Sequence, residues 1–186
     1  MRRRGPPQAA REVDVVIKDR TETIAIILRA AEKHRVPPDV ALAFAWCESH
    51  FIATAEGDLG WAGRDGGKRY QRNVLRSQRL KYNPAREDPD CWHSYGLYQL
   101  LACFHVGDNE HPSALLDPER NAELGCRFIR GLLDRTRDDP ETARLLYVGL
   151  PLEGASTEQD RQKVLANFRA ALERFRPYAP QEGGQT

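Results

Sequence analysis

Apolar residues recur every three or four positions along much of this chain, the spacing that lines one face of an α-helix. Ile24, Ile27, Leu28 and Ala31 predict a helix over about 20–35. "VPPDVALAFAWCES" predicts a second, with prolines suited to a first turn and Val40, Phe44 and Cys47 on one stripe. "LLDPERNAELGCRFIRGLLDRT" predicts a third, capped by Asp117, with Pro118 in its first turn and Leu124, Phe128, Ile129, Leu132 and Leu133 facing inward. The Asp–Pro opening recurs at Asp139 and Pro140 and starts a fourth. A capping box from Ser156 to Gln159 opens the last, whose stripe is Val164, Leu165, Phe168, Ala171, Leu172 and Phe175. No stretch alternates long enough to predict a strand. The expected class is mainly α.

The helical pattern breaks in the middle. Gly57, Gly60, Gly63, Gly66 and Gly67 mark a loop over 54–67, followed by "KRYQRNVLRSQRLKY". There Arg69, Arg72, Arg76 and Arg79 are spaced for one helical face, either simply solvated or able to meet an anionic partner. These breaks predict one domain over 20–176 with an insertion at about 54–93. A basic tail over 1–19 and a short tail over 177–186 read as untied to it. A chain of 186 residues is long enough for one such core. With a net charge of +1 and no long apolar run, neither a membrane span nor a nucleic-acid partner is expected.

The basic start lacks the apolar stretch of a secretory leader, so synthesis in the cytoplasm is expected. Cys47, Cys91, Cys103 and Cys126 show no metal-knuckle spacing and read as buried thiols, with a Cys91–Cys103 disulfide as the alternative. A zinc or cysteine-nucleophile site from Cys47, His50 and His93 has no supporting motif. No cofactor and no metal are expected.

Glu48 is the residue that asks for an explanation. Val40, Phe44 and Glu48 follow one another at i+4, so their side chains stack on one face. Either Glu48 points into water at a helix end, or it lies at the edge of the core. In the second case burial and the negative end of the helix dipole both favour the uncharged acid, the form a proton donor needs. The pattern alone leaves the two readings equal.

"VPPDVALAFAWCESHF", "SYGLYQLL", "LLDPERNAELGCRFIRGLLDR" and "ARLLYVG" stand in the order of the SLT-type lytic transglycosylase domain, which this chain resembles over about 21–150. The resemblance implies a lysozyme-like α-helical fold carrying the Gly-rich and basic insertion between its catalytic helix and its Gly-Leu-x-Gln segment. It implies Glu48 as the single catalytic acid and Ser49 as a substrate-positioning neighbour. Gly96, Leu97 and Gln99 match Gly-Leu-x-Gln, with the glutamine in the glycan cleft. Tyr98 replaces the usual methionine, and either stacks on a sugar or packs. Tyr147 matches the tyrosine of Tyr-Asn-Ala-Gly, whose hydroxyl bonds the catalytic carboxyl group. Val148 replaces that motif's asparagine, and Gly149 stands one place early. Trp61, Trp92 and Tyr95 flank the insertion and are the sugar-stacking candidates, with core packing as the alternative.

The resemblance further implies cleavage of the MurNAc-β-1,4-GlcNAc bond of peptidoglycan, leaving 1,6-anhydroMurNAc ends. "GDLGWAGRDGG" resembles a goose-type lysozyme loop; a second carboxylate there, Asp58 or Asp65, would give an inverting muramidase instead. A third reading is an inactive glycan-binding or structural module of a phage tail or secretion assembly. Expected partners are peptidoglycan strands and a phage particle or secretion apparatus, with delivery to the wall by virion, holin or secretion.

Overall fold

The computed structural model describes residues 20–57, 92–107, 110–150 and 158–180. Six α-helices and a small sheet are seen among them. Helix α1 (Thr21–His34) ends where Arg35 turns left-handed, and α2 (Pro38–Ser49) begins two residues after Val36. Strands β1 (Glu56–Gly57), β2 (Ser94–Tyr95) and β3 (Leu100–Leu101) form an antiparallel sheet in that order. Then come α3 (Ala102–His105), α4 (Pro118–Arg135), α5 (Pro140–Tyr147) and α6 (Glu158–Phe175).

Helices α4 and α5 start where the Asp–Pro pairs predict. Asp117 accepts from the backbone N–H of Arg120 at 2.7 Å, and Asp139 from Glu141 and Thr142 at 3.0 and 3.3 Å. Each satisfies N–H groups that an open helix end would leave bare. Ser156, and with it the capping box expected before α6, lies outside the described residues. So do the 1–19 tail, Asp58, Trp61, Asp65, the Arg69–Arg79 stripe and Cys91.

Helix α2 is the axis of the domain. The six residues from Val40 to Ala45 are all buried, because α1 packs against it on one side and α6 on another. Surrounded in this way, α2 has no solvent face along its middle, and the single stripe expected of it becomes a fully apolar cylinder. Helix α4 packs on α1, and α5 bridges α4 and α6. The Phe44 ring meets Phe168 of α6 edge-on at 4.9 Å, a favoured aromatic geometry.

Two expectations about the core change. Phe128 is 38% exposed, while Gly125 and Cys126 take the inward face of α4. Gly125 is needed there, since an added Cβ would stand 2.3 Å from the ring of Tyr98. The sheet is the second change. Its strands are two residues each, too short for alternation to register in the sequence. Among the described residues no helix is long and apolar enough to cross a membrane.

Candidate functional site

Glu48 is the penultimate residue of α2, at the point where the buried cylinder reaches the surface. The next residues reverse the chain sharply: His50 and Phe51 both have positive φ, 52° and 65°. Non-glycine residues adopt this conformation at a cost of about 1 kcal/mol or more each, so packing must offset it. Here Trp46 stacks edge-on against both rings, at 4.6 Å to His50 and 5.5 Å to Phe51. Burial and the nearby charges of Arg20 and Arg174 push the His50 imidazole below its ordinary range.

The side chain of Glu48 is only 16% exposed, and its carboxyl group is not alone. The Nη1 of Arg144, from α5, donates to Glu48 Oε1 in a close ion pair. Arg144 is 8% exposed in its side chain, and its guanidinium lies 5.5 Å from the centre of the Phe44 ring and 5.6 Å from that of Tyr147. Both distances are within reach of a cation–π attraction. Of the two readings that the sequence pattern leaves equal, the structure has Glu48 at the edge of the core, with a buried guanidinium facing its carboxyl group. Glu48 Oε2 has no hydrogen-bond partner among the described residues.

Ser49, expected to position substrate, is buried, and its hydroxyl is turned inward onto the carbonyls of Leu97 at 2.8 Å and Ala45 at 3.2 Å. It therefore ties the end of α2 to the Gly-Leu-Tyr-Gln turn, which joins β2 to β3. That turn has a left-handed residue at each end, Gly96 with φ 74° and Gln99 with φ 46°. Only glycine fits the first position. A Cβ on Gly96 would come within 2.3 Å of Asn121 Nδ2 and 2.5 Å of the Leu115 carbonyl.

Asn121 is the clamp of this turn, and local pattern does not single it out. Fully buried on α4, it donates to the carbonyls of Tyr95 at 2.8 Å and Leu115 at 2.9 Å, and accepts from the Tyr98 N–H at 2.9 Å. The available signal is an asparagine four residues before Gly125 on the inward face of an amphipathic helix. Gln99 braces the other side: its Nε2 donates to the Ala55 and Gly96 carbonyls at 3.1 and 3.0 Å. Gly57 leaves room for it, since a Cβ there would lie 2.2 Å from Gln99 Oε1.

The aromatic candidates sort by burial. Tyr98 is completely buried; its hydroxyl donates to the Ala41 carbonyl at 3.1 Å and lies 3.4 Å from Cys126 Sγ. Burial pushes its phenol well above the usual range and the Cys126 thiol up to about 12. Trp92 and Tyr95 are 3% and 4% exposed, and Leu97 is buried beneath the turn. With so little surface, Tyr98, Trp92 and Tyr95 present no ring face to a sugar. They are core residues, so of the two readings, sugar stacking and core packing, the structure has the second. Cys126 is a buried free thiol, as expected, while Cys47 is a free thiol only partly buried.

Tyr147 does come to the site, by a different bond from the one expected. Its hydroxyl donates to the Tyr98 carbonyl and not to Glu48, so it locks α5 onto the turn. Burial, and then the nearby Glu48 charge, push this phenol well above its ordinary value. Its ring meets Phe44 at 5.1 Å and Phe128 at 5.3 Å. Arg144 escapes the sequence reading although it sits three residues before Tyr147, one helical turn along the same face.

Beyond Phe128 lies His105, with ring centres 5.6 Å apart. Burial, helped by the Arg127 charge, lowers its imidazole from 6.5 to about 4. The folded chain thus prefers neutral His105, and this contribution is whole above about pH 6.5. As pH falls from there towards 4 the unfolded chain takes up the proton first, and roughly 3 kcal/mol of stability is lost. Denaturant melts across this window should show that slope, and His105→Gln should flatten it.

A glutamate at the end of a buried helix, backed by a Gly-Leu-x-Gln turn and a tyrosine from a later helix, defines a lysozyme-like α-helical domain. A family model described as the transglycosylase SLT domain matches residues 25–167, so the chain belongs to that family. With membership comes the family's class of function, lytic transglycosylase-type degradation of peptidoglycan. No curated protein and no solved structure gives a significant match.

Proposed function

We propose that this chain cuts the MurNAc-β-1,4-GlcNAc bond of peptidoglycan with Glu48 as its single acid and base. The observation that carries the reading is the state of the Glu48 carboxyl group: one oxygen held by Arg144, the other without a partner among the described residues, at the mouth of a buried helix. From Oε2 a proton passes to the glycosidic oxygen as the bond to C1 breaks through an oxocarbenium-like state. The carboxylate then takes the proton of the C6 hydroxyl, and that oxygen closes onto C1. A 1,6-anhydro end results, and no water is consumed.

One observation favours a second reading, that of a glycan-binding module. An ion pair joins a carboxylate to a guanidinium, whereas proton donation needs the carboxylic acid. The pair has to open or exchange before the first step. The hydrolytic version requires another carboxylate, and Asp58 and Asp65 fall outside the described residues.

Mass spectrometry of purified peptidoglycan after digestion separates the readings. Anhydro ends are expected. Reducing ends without anhydro species would point to the muramidase, and undigested strands that still bind the protein to the module.

A further inference from the structure

A groove of about 390 Å³ runs along the outer side of α4, between it and the end of α3, and is lined by Phe104, His105, Arg127, Phe128 and Arg135 among others. It reaches the proposed site through ring contacts, since Phe128 touches both His105 and Tyr147. Phe104 and Phe128 are two of the few large apolar side chains left exposed, at 36% and 38%.

The charge of the groove is one-sided. Among the described residues, none that lines it is acidic. On α4, Arg120 and Arg130 are paired with Glu110 and with Asp134 and Asp138, but Arg127 and Arg135 make no ion pair among the described residues. A second groove, between α1 and α4, shows the contrast. There Arg29 meets Glu119 at 3.1 Å and Lys33 meets Glu123 at 2.6 Å, so its charges are already matched within the chain. Two unmatched arginines beside two exposed rings call for a ligand with carboxylates and small apolar groups. The size falls within the usual range for ligand sites.

We infer that this groove binds the acidic peptide branch of the peptidoglycan strand, with Arg127 and Arg135 taking its carboxylates and Phe104 and Phe128 its apolar side chains. The inference rests on the reading of the chain as one that acts on peptidoglycan. Neutral His105 offers one ring nitrogen as donor and the other as acceptor, which suits a peptide amide.

Affinity for soluble glycan strands tests it, measured with peptides in place and after an amidase has removed them. The wild-type chain should bind peptide-bearing strands about fivefold to tenfold more tightly, the scale of two partly exposed charge-assisted contacts. Arg127→Gln with Arg135→Gln should erase that difference at an unchanged melting temperature, and the double lysine variant should restore much of it. Equal wild-type affinity for both strands overturns the groove assignment while leaving the glycan reading in place. So does a preference that survives the double glutamine change. Binding to neither strand overturns both.

Discussion

Glu48→Gln is expected to slow lysis of purified peptidoglycan at least about a hundredfold, the lower end of what a general acid contributes. The amide has nearly the shape of the carboxyl group, and its Oε1 can still accept from Arg144. What it lacks is a proton to give and take. The substitution has a structural cost as well, because it leaves the guanidinium of Arg144, 8% exposed, without its counter-charge. Removing one member of a buried pair outright costs about 3–5 kcal/mol, and the retained hydrogen bond should reduce that to about 1–3 kcal/mol. A thermal melt is therefore expected to fall by several degrees while the chain stays folded. Combining Glu48→Gln with Arg144→Met should recover much of the melt and none of the lysis. Lysis within about tenfold of wild type in the single variant would remove Glu48 from the chemistry.

Arg144→Met should act in the opposite sense on activity. The ion pair and the proton-bearing acid compete for one carboxyl group, so the guanidinium restrains the first step. Methionine keeps an unbranched side chain beside the Phe44 and Tyr147 rings and removes the charge. The lytic rate at neutral pH is expected to rise about tenfold, while stability falls by about 3 kcal/mol or more for a carboxylate left without its partner. Arg144→Lys keeps the charge and should stay close to wild type in rate. A folded Arg144→Met chain with no lysis would mean that the arginine holds Glu48 in its working position, and the restraint would be wrong.

The parts of this domain that can be read from sequence are those decided within a few residues. Asp117 and Asp139 cap their helices through bonds two or three residues long, and "DP" announces both. The stripe of α6 fares well too: Leu165, Phe168, Ala171 and Phe175 are buried because that helix has one covered face. Periodicity misleads where a helix is covered on several sides, as in α2, or where a partner alters the inward face. Phe128 yields its place to Gly125 because Tyr98 comes up against the helix there. Glu48 is legible as a question, and the family motifs answer it. Its partner is not. Arg144 lies 96 residues away, Asn121 holds a turn 23 residues upstream, and no local spacing encodes either distance. Ser49 and Tyr147 stand where the motifs place them but make other bonds than those expected, and Tyr98 packs, one of its two expected readings. Each spends its hydroxyl on a backbone carbonyl, so these residues build the frame of the site.

The pairing of Glu56 with Tyr95 and of Gly57 with Ser94 brings together two points of the chain that are far apart in sequence. The pairing holds the two ends of whatever connects them side by side, one on each strand. For a flexible connection, each doubling of length adds only about 0.6 kcal/mol to closing such a loop. The paired strand ends thus behave as a socket: for a flexible segment held between β1 and β2, a change of length costs little in closure. Novelty in this chain can accumulate at that socket while the glutamate, its arginine and the clamped turn stay as they are.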